Sequence, residues 1–400
     1  MSHFSALAMA PRDPIMGMTE AFQADPSPSK VNLGVGVYLD ENGKVPLLSC
    51  VHQAESALAQ TTRPRSYLPM SGMNDFNTAV QSLVFGSTST AITEGRVASL
   101  QSVAGTGALR VGAGLLALAS PQSKVLLSDP SWENHELIFS RAGFTTGTYR
   151  YYDPLTGGVN IDGMIEDLSA AEPGTIVVLH ACCHNPTGCD LTNTDWARVL
   201  EVVRERNLLP FLDMAYQGLA YGLEEDRYAV SLFAESGLSF VLANSFSKNF
   251  ALYGERIGGI HFVASDADEA QRVLSQAKIV VRSLYSNPPT QGAAIVTSIL
   301  ANPELHAQWE GELAHMRERI KTMRTAFRSG LESAGITHDL SYITTQEGLF
   351  SYSGLSVEQM GRLREEFHIY GLDSGRLCIA GLNAHNMEYV VSSVATVMTT

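Results

Sequence analysis

The stretch "FVLANSFSK" (residues 240–248) begins as an apolar run and ends in small and polar residues that lead to a lysine. Such a run is apolar on both faces, which is typical of a buried parallel strand. Similar runs precede it: "KVLLSDP" (124–130), "TIVVLHACCHNP" (175–186) and "LLPFLDMAYQG" (208–218). Amphipathic helical patterns such as "TDWARVLEVVRER" lie between the runs. This alternation predicts a large α/β domain with a doubly wound, mostly parallel sheet.

A second unit is predicted after this region. Apolar residues recur there at spacings of three and four: Trp309, Leu313, Met316, Ile320, Met323, Phe327 and Leu331. They predict one long amphipathic helix that ends at Gly335. Strand-like pieces follow in "SYITTQEGLFSYSGL" and "GRLCIAGL", with the helical "SVEQMGRLREEF" between them. We expect a smaller α+β domain formed by both chain ends, and divide the chain into 1–39 (N-terminal arm and part of the small domain), 40–315 (large domain) and 316–400 (small C-terminal domain).

Composition excludes several classes of partner. The 400 residues carry 27 Lys and Arg against 41 Asp and Glu, a formal charge of −14 that disfavours a nucleic-acid partner. No apolar stretch approaches the roughly 18–20 residues of a membrane span. The N-terminal "MSHFSALAMAPRDP" has no basic region before its apolar patch, which Pro11 ends, so it does not read as a signal peptide.

The five cysteines are an odd and sparse set, which favours free thiols and a cytoplasmic location. Cys182, Cys183 and Cys189 lie close to His184 in "HACCHNPTGCD", and a metal site is one interpretation of this cluster. Adjacent residues of a strand point to opposite faces, however, so Cys182 and Cys183 would not easily bind one ion. We therefore predict buried, inert thiols and no metal.

Unusual residues follow successive strand runs. In chain order they are Asp129 and Trp132, then Asn185, then Asp213 and Tyr216, and finally Lys248. Taken singly, each has an ordinary interpretation as core, helix cap, turn or surface charge. Ligands bind beyond the carboxyl ends of parallel strands, so their common position predicts one site.

The residue types in this predicted site suit a particular cofactor chemistry. A lysine in a dry pocket attacks carbonyl groups. A carboxylate such as Asp213 would keep a ring nitrogen protonated and make the ring an electron sink. Trp132 offers a stacking face, and Tyr216 and Asn185 can donate hydrogen bonds to a phenolate oxygen.

A phosphate would fit the small-residue turn "AGTGALRVGAGLL" (104–116), which opens a helix. Ser245 and Arg256 flank the lysine and can complete a phosphate cradle. The turn lacks the full dinucleotide fingerprint, and tight packing is an alternative explanation for its glycines.

Several motifs now identify a family resemblance: "HNPTG", "DMAYQG", "SFSKNFALYGERIG", "YSNPP" and "SGRLCIAGLN". They resemble the fold-type I pyridoxal-phosphate aminotransferases, and among these the bacterial aspartate/aromatic amino acid subgroup. The resemblance extends from "DPIMGM" (13–18) to the last helix. It implies pyridoxal 5′-phosphate as cofactor, amino acids and 2-oxo acids (glutamate and 2-oxoglutarate) as substrates, and a homodimer with shared active sites.

The resemblance also implies residue roles. The catalytic residues would be Lys248, which binds the cofactor covalently and moves a proton, Asp213 and Tyr216. The cofactor-binding residues would be Gly105, Thr106, Trp132, Asn185, Asp213, Tyr216, Ser245, Lys248, Arg256 and, from the neighbouring subunit, Tyr67. The substrate-binding residues would be Gly36, Trp132, Asn185, Arg376 for the α-carboxylate and, from the neighbouring subunit, Arg282 for a second carboxylate. His135 would support Asp213 or be a satisfied core histidine.

The substrate is less determined than the reaction. The sequence departs from the usual pattern at Ala104, Leu284, Leu349 and Asp373. Leu284 near Arg282 would make the pocket more apolar, so an aromatic amino acid aminotransferase that also accepts aspartate is favoured. A strict aspartate aminotransferase is the alternative, and a specialised substrate stays open. Decarboxylases, lyases and racemases share the fold and lysine, but the pair Arg282 and Arg376 favours amino-group exchange over these and over a non-catalytic binding protein.

Overall fold

The computed structural model describes residues 2–10, 14–62 and 66–399, so Pro11 lies outside the described residues. The helices are α1 (Pro14–Ala24), α2 (Ser49–Ala59), α3 (Asn74–Phe85), α4 (Thr90–Thr93), α5 (Ala104–Ala119), α6 (Glu133–Ser140), α7 (Ile161–Ala170), α8 (Asn193–Glu205), α9 (Tyr228–Glu235), α10 (Ala267–Leu284), α11 (Gln291–Ala301), α12 (Pro303–Ser333), α13 (Tyr342–Thr345), α14 (Val357–Phe367) and α15 (Met387–Thr399). The strands are β1 (Val31–Asn32), β2 (Val97–Val103), β3 (Lys124–Asp129), β4 (Thr145–Arg150), β5 (Tyr152–Asp153), β6 (Gly158–Val159), β7 (Ile176–His180), β8 (Leu209–Met214), β9 (Phe240–Ser245), β10 (Ile257–Val263), β11 (Phe350–Tyr352), β12 (Ile369–Tyr370) and β13 (Arg376–Cys378). Among these helices none is long and apolar enough to cross a membrane.

A seven-stranded sheet in the order β2-β10-β9-β8-β7-β3-β4 forms the centre of the molecule. Strands β9, β8, β7, β3 and β4 are parallel, and each apolar run singled out in the sequence contains one of them or its end. The prediction of a doubly wound, mostly parallel α/β fold is confirmed.

Strand β10 departs from the parallel pattern, since it is antiparallel to both β9 and β2. The described chain between β9 and β10, residues 246–256, contains no helix, so it turns back directly beside β9. Gly258 permits close contact at this turn, because a Cβ there would lie 2.5 Å from the Asn244 carbonyl oxygen. Sequence alternation did not reveal this strand direction.

The long apolar stripe forms one helix, α12, as predicted. Asn302 caps its start by accepting hydrogen bonds from the N–H groups of Glu304 and Leu305 at 2.9 and 3.2 Å. Gly335 follows its end with φ +91°, a conformation that favours glycine. The interpretation of "SYITT" as strand-like was wrong, since it forms α13. The carbonyl oxygens of Ser341 and Tyr342 accept hydrogen bonds from N–H groups three and four residues further on, within one helical turn.

The smaller core is built from both chain ends. Strand β1 pairs in parallel with β12, and β11 pairs with β13. Trp309 and Leu313 of α12 pack in the core of the large sheet, whereas Phe327 and Leu331 of the same helix pack in the smaller core. The domain division at 315/316 stays a prediction.

Helix α12 also holds the loop that follows β9. The Trp309 indole N–H donates to the carbonyl oxygen of Asn249 at 2.8 Å. Its ring stacks on Phe250 with the ring centroids 4.3 Å apart. Asn249 and Phe250 directly follow Lys248, so the position of this lysine depends on a fully buried tryptophan.

We expect Trp309→Ala to destabilise the fold by about 3–5 kcal/mol, because it leaves a large cavity and an unpaired buried carbonyl. Glu310→Ala, an exposed change on the same helix, is the matched control and should stay within about 0.5 kcal/mol. Urea unfolding followed by circular dichroism measures both. Equal midpoints for the two variants would contradict the role of Trp309.

Candidate active site

A cavity of about 270 Å³ opens at the carboxyl ends of the parallel strands. Its walls bring together most of the predicted site residues: Gly36, Gly105, Thr106, Trp132, Asn185, Asp213, Tyr216, Ser245, Lys248, Arg256 and Arg376. Two others lie elsewhere on this chain. The Tyr67 side chain is 91% exposed, and Arg282 is exposed on α10, where it donates to the Ser286 hydroxyl.

Lys248 lies deep in the cavity, beyond the end of β9. Burial is the main cause that lowers its pKa to about 8, and the positive charges of Arg256 and Arg376 act in the same direction. The Nζ atom faces the rings of Tyr253, with 4.9 Å to the centroid, and Tyr216, with 6.0 Å. An amine with this pKa is partly unprotonated near neutral pH and can act as a nucleophile or base.

Asp213 is the last residue but one of β8, and its side chain lies in the cavity, where the residue is 7% exposed. A hydrogen bond of 2.9 Å joins its Oδ2 to Nε2 of the fully buried His135. Nδ1 of His135 lies 3.0 Å from the Ser131 hydroxyl. The carboxylate therefore has a fixed orientation, and His135 is a buried histidine that contacts Asp213 directly.

Further histidines in this layer were not selected from the sequence. Nε2 of His180 lies 3.4 Å from the Ser131 hydroxyl, and its Nδ1 lies 3.3 Å from the backbone N of Asn185. Burial lowers the pKa of His180 well below its ordinary value, so the ring is neutral. The signal available in the sequence was its position as the last residue of the run "IVVLH".

Arg376 is a buried cation, 1% exposed, that contacts three distant parts of the chain. Its guanidinium donates to Asn185 Oδ1 at 2.9 Å and to the Gly34 carbonyl oxygen at 2.7 Å. Its Nε has no hydrogen-bond partner. None of the described carboxylates forms an ion pair with it, so the group is suited to an anion that enters the cavity.

Phe350 supports this arginine and was missed in the sequence. The Arg376 guanidinium lies 4.2 Å from the centroid of the Phe350 ring. The Phe350 ring also explains why residue 36 is a glycine, because a Cβ at that position would lie 2.6 Å from Phe350 Cζ. A phenylalanine in a short strand looks like ordinary core, so the pattern gave no signal.

The opposite end of the cavity lies at the first turn of α5. The first N–H groups of a helix lack partners within the helix and attract anions. Ala104 (φ +56°) donates its N–H to the carbonyl oxygen of Arg256 (φ +53°) at 3.1 Å. A Cβ at Gly105 would lie 3.4 Å from Ser245 Cβ. Two non-glycine residues in the left-handed region therefore shape this end of the site.

The other departures from the family pattern lie away from the cavity wall. Leu349 is buried, Leu284 is 40% exposed on α10, and Asp373 pairs with Arg364 at 2.8 Å. None of the three lines the cavity of this chain.

The thiols of Cys182 and Cys183 lie close together, so the prediction that strand alternation separates them was wrong. These residues lie beyond the end of β7, and Cys183 has φ +51°, so strand alternation does not apply. Their sulfur atoms and a carboxylate oxygen of Asp226 lie within 4.8 Å of one another. Asp226 accepts backbone hydrogen bonds from Gly218, Ala220 and Tyr221 at 2.8 to 3.0 Å, and the five cysteines are buried and free.

The donor set of the cavity fits pyridoxal 5′-phosphate. It offers an amine with a lowered pKa (Lys248), a fixed carboxylate (Asp213) and a neutral phenol (Tyr216), whose pKa is raised by burial. The helix N-terminus with Ser245 and Arg256 suits a phosphate.

Comparison with known proteins gives the same result. Residues 28–394 match the family model for aminotransferase class I and II. The chain is 52% identical over 398 residues to an aspartate aminotransferase of Pseudomonas aeruginosa, covering 100% of both chains. It is 46% identical to an aromatic-amino-acid aminotransferase of Escherichia coli, covering 96% of this chain and 98% of that one.

A solved structure shows the same fold with its cofactor. The aromatic-amino-acid aminotransferase of Burkholderia pseudomallei, covalently bound to pyridoxal phosphate, superimposes with a TM-score of 0.97 at 53% identity, covering 99% of this chain and 100% of that one. Pyridoxal 5′-phosphate is the cofactor of this family. The chain belongs to the class I and II aminotransferases.

Proposed function

We propose that this aminotransferase moves the amino group of aromatic L-amino acids (phenylalanine, tyrosine and tryptophan) to 2-oxoglutarate and also accepts aspartate. The observation that carries the proposal is the buried Arg376, which has no carboxylate partner among the described residues and shares a cavity with Lys248. Every amino-acid and 2-oxo-acid substrate brings an α-carboxylate that can pair with this guanidinium.

The apolar part of the cavity supports aromatic substrates. It is formed by Val35, Val37, Leu109, Trp132 and Phe350. Apolar burial contributes about 25 cal/mol per Å², so an uncharged ring gains binding energy against these walls. The relatives are of both kinds at similar identity, and a strict aspartate aminotransferase is therefore the alternative.

Each proposed site residue has a definite task. The cofactor supplies the electron sink that makes the substrate Cα proton acidic. Lys248 would hold the cofactor covalently and would move the proton at the substrate Cα. Asp213, oriented by His135, keeps the cofactor ring nitrogen protonated.

The remaining cavity residues would hold the cofactor and orient the substrate. Tyr216 and Asn185 would donate hydrogen bonds to the cofactor's phenolate oxygen, and Trp132 would stack on its ring. Gly105, Thr106, Ser245 and Arg256 would hold its phosphate, and Gly36 would leave room for the substrate. Arg376 orients the α-carboxylate so that the Cα proton faces Lys248.

The active unit is proposed to be a homodimer. Tyr67 and Arg282 are exposed and do not reach the cavity of their own chain. A second copy would place Tyr67 at the phosphate and Arg282 at a second substrate carboxylate, and two-fold dimers are the commonest assembly. A cytoplasmic location is proposed with it, supported by five free cysteines.

Borohydride reduction of the cofactor-loaded protein should place a pyridoxyl label on Lys248, because this amine has a lowered pKa and faces the cavity. Peptide mapping by mass spectrometry locates the label. Lys248→Ala should lose the label and at least about 10²-fold in activity. Lys124→Ala, which removes an exposed lysine, should keep both. A label on another lysine would refute the assignment.

Arg282→Leu should lower kcat/KM for aspartate by about 10²- to 10³-fold, because the second carboxylate loses its partner. The same change should leave phenylalanine nearly unaffected, since an aromatic ring makes no such pair. Arg376→Leu should impair both substrates, because both carry an α-carboxylate. Arg272→Leu, at another exposed position of α10, is the control. If the unchanged enzyme does not turn over phenylalanine or tyrosine, the strict aspartate alternative holds.

A mixture of Arg282→Leu and Lys248→Ala proteins should regain activity with aspartate after subunit exchange. In the mixed dimer, one site would contain Lys248 from one subunit and Arg282 from the other. Activity is measured before and after exchange, with each variant alone as control. A fully active monomer in sedimentation would contradict shared sites.

A further inference from the structure

We infer that Tyr253 positions Lys248: its ring face supports the amine, while its hydroxyl holds the chain segment that forms one wall of the cavity. The inference rests on the proposed function of Lys248. Tyr253 itself does not line the cavity, so it acts through its neighbours and is a positioning residue.

The first observation is the surroundings of the amine. Within the described part of the chain, Lys248 Nζ has no hydrogen bond or ion pair. The charged or titratable groups that act on it are Arg256, Arg376 and Cys378. Cys378 favours a proton on the amine, whereas the two arginines oppose it. The faces of two aromatic rings also favour the protonated amine, and the Tyr253 ring is the nearer, with its centroid 4.9 Å from Nζ.

An aromatic face attracts an ammonium group up to about 6 Å from the ring centroid, most strongly where water is excluded. Tyr253 therefore favours the protonated amine at a place where burial and two guanidinium groups oppose it. The Tyr216 ring lies at 6.0 Å, at the limit of this attraction. The Tyr253 ring is thus the nearer of the two aromatic rings that attract the amine when it carries the proton.

The second observation is the hydroxyl group. Tyr253 Oη accepts a hydrogen bond of 2.8 Å from the backbone N–H of Tyr38, which is 215 positions away in the chain. Val35, Gly36 and Val37, just before Tyr38, line the cavity. Burial raises the pKa of Tyr253, so the phenol stays neutral and keeps its role as acceptor.

These contacts give one side chain two separable effects. The ring acts on the protonation of Lys248, and the hydroxyl acts on the wall that receives the substrate. Tyr253→Phe removes the second effect alone, whereas Tyr253→Leu removes both. Tyr221→Leu is a matched control, since the Tyr221 ring also faces a lysine (Lys321 Nζ, 5.4 Å) but is exposed and outside the cavity.

The experiment titrates Lys248 in the cofactor-free protein. Reductive methylation is measured against pH, and the extent at Lys248 is read by peptide mass spectrometry. The unchanged protein should show a midpoint near pH 8. Tyr253→Leu should lower the midpoint by about 0.5 to 1.5 pH units, because the ammonium loses its ring face. Tyr253→Phe and Tyr221→Leu should leave it unchanged.

Steady-state kinetics of the cofactor-loaded enzyme test the hydroxyl. Tyr253→Phe should raise KM for amino acids several-fold with little change in kcat, because the Tyr38 N–H loses its acceptor and the wall shifts. An unchanged midpoint in Tyr253→Leu, or an equal change in Tyr253→Phe, overturns the inference. If Tyr253→Leu does not fold, Tyr253→Phe decides alone: a shifted midpoint or an unchanged KM overturns it.

Failure of this inference differs from failure of the proposed function. If borohydride labels Lys248 but the titration does not respond to Tyr253→Leu, only the role of Tyr253 is lost. If borohydride labels another lysine, the proposed role of Lys248 is lost whatever the titration shows.

Discussion

A buried guanidinium that has no carboxylate partner among the described residues is the constraint on which the site depends. An unpaired buried charge is costly unless its hydrogen bonds are satisfied. Arg376 meets this need partly through Asn185, in the loop after β7, and the Gly34 carbonyl near the N-terminus, with the Phe350 ring against its guanidinium. These contacts bring both chain ends to the edge of the large sheet. The Nε atom of Arg376 has no hydrogen-bond partner, and the proposed partner of the guanidinium is the substrate α-carboxylate.

At the same edge of the sheet, the amine of Lys248 is close to two positive charges. Lys248 sits beside Arg256 and Arg376, and its pKa is lowered mainly by burial. Its loop cannot relax away from them, because Trp309 binds the Asn249 carbonyl and stacks on Phe250. Trp309, which has the pattern of an ordinary core residue of α12, therefore helps to keep Lys248 close to the two guanidinium groups.

The sequence predicted the fold and most of the cavity for a physical reason. Buried parallel strands require continuous apolar runs, and polar residues at their carboxyl ends are conspicuous; Asp213 and Lys248 were found in this way. The antiparallel direction of β10 depends on a connection without a helix, which no periodicity reports. Phe350 and Tyr253 were missed because an aromatic side chain that supports a cation has the same pattern as one that fills a core. Strand alternation also misplaced Cys182 and Cys183, since a left-handed residue ends the alternation.

The residues proposed to carry out the reaction and those proposed to select the substrate lie on different parts of the molecule. The groups proposed for proton transfer and α-carboxylate binding all belong to one chain and line its cavity. Arg282 and Leu284, which are proposed to act on the second carboxylate or ring, are exposed on α10 and absent from that cavity. A fold shared at similar identity with aspartate and aromatic enzymes is consistent with this separation. In the proposed homodimer, discrimination between a charged and an aromatic side chain would depend on how the second copy presents Arg282, so specificity could change through the contact between subunits while the reacting groups stay fixed.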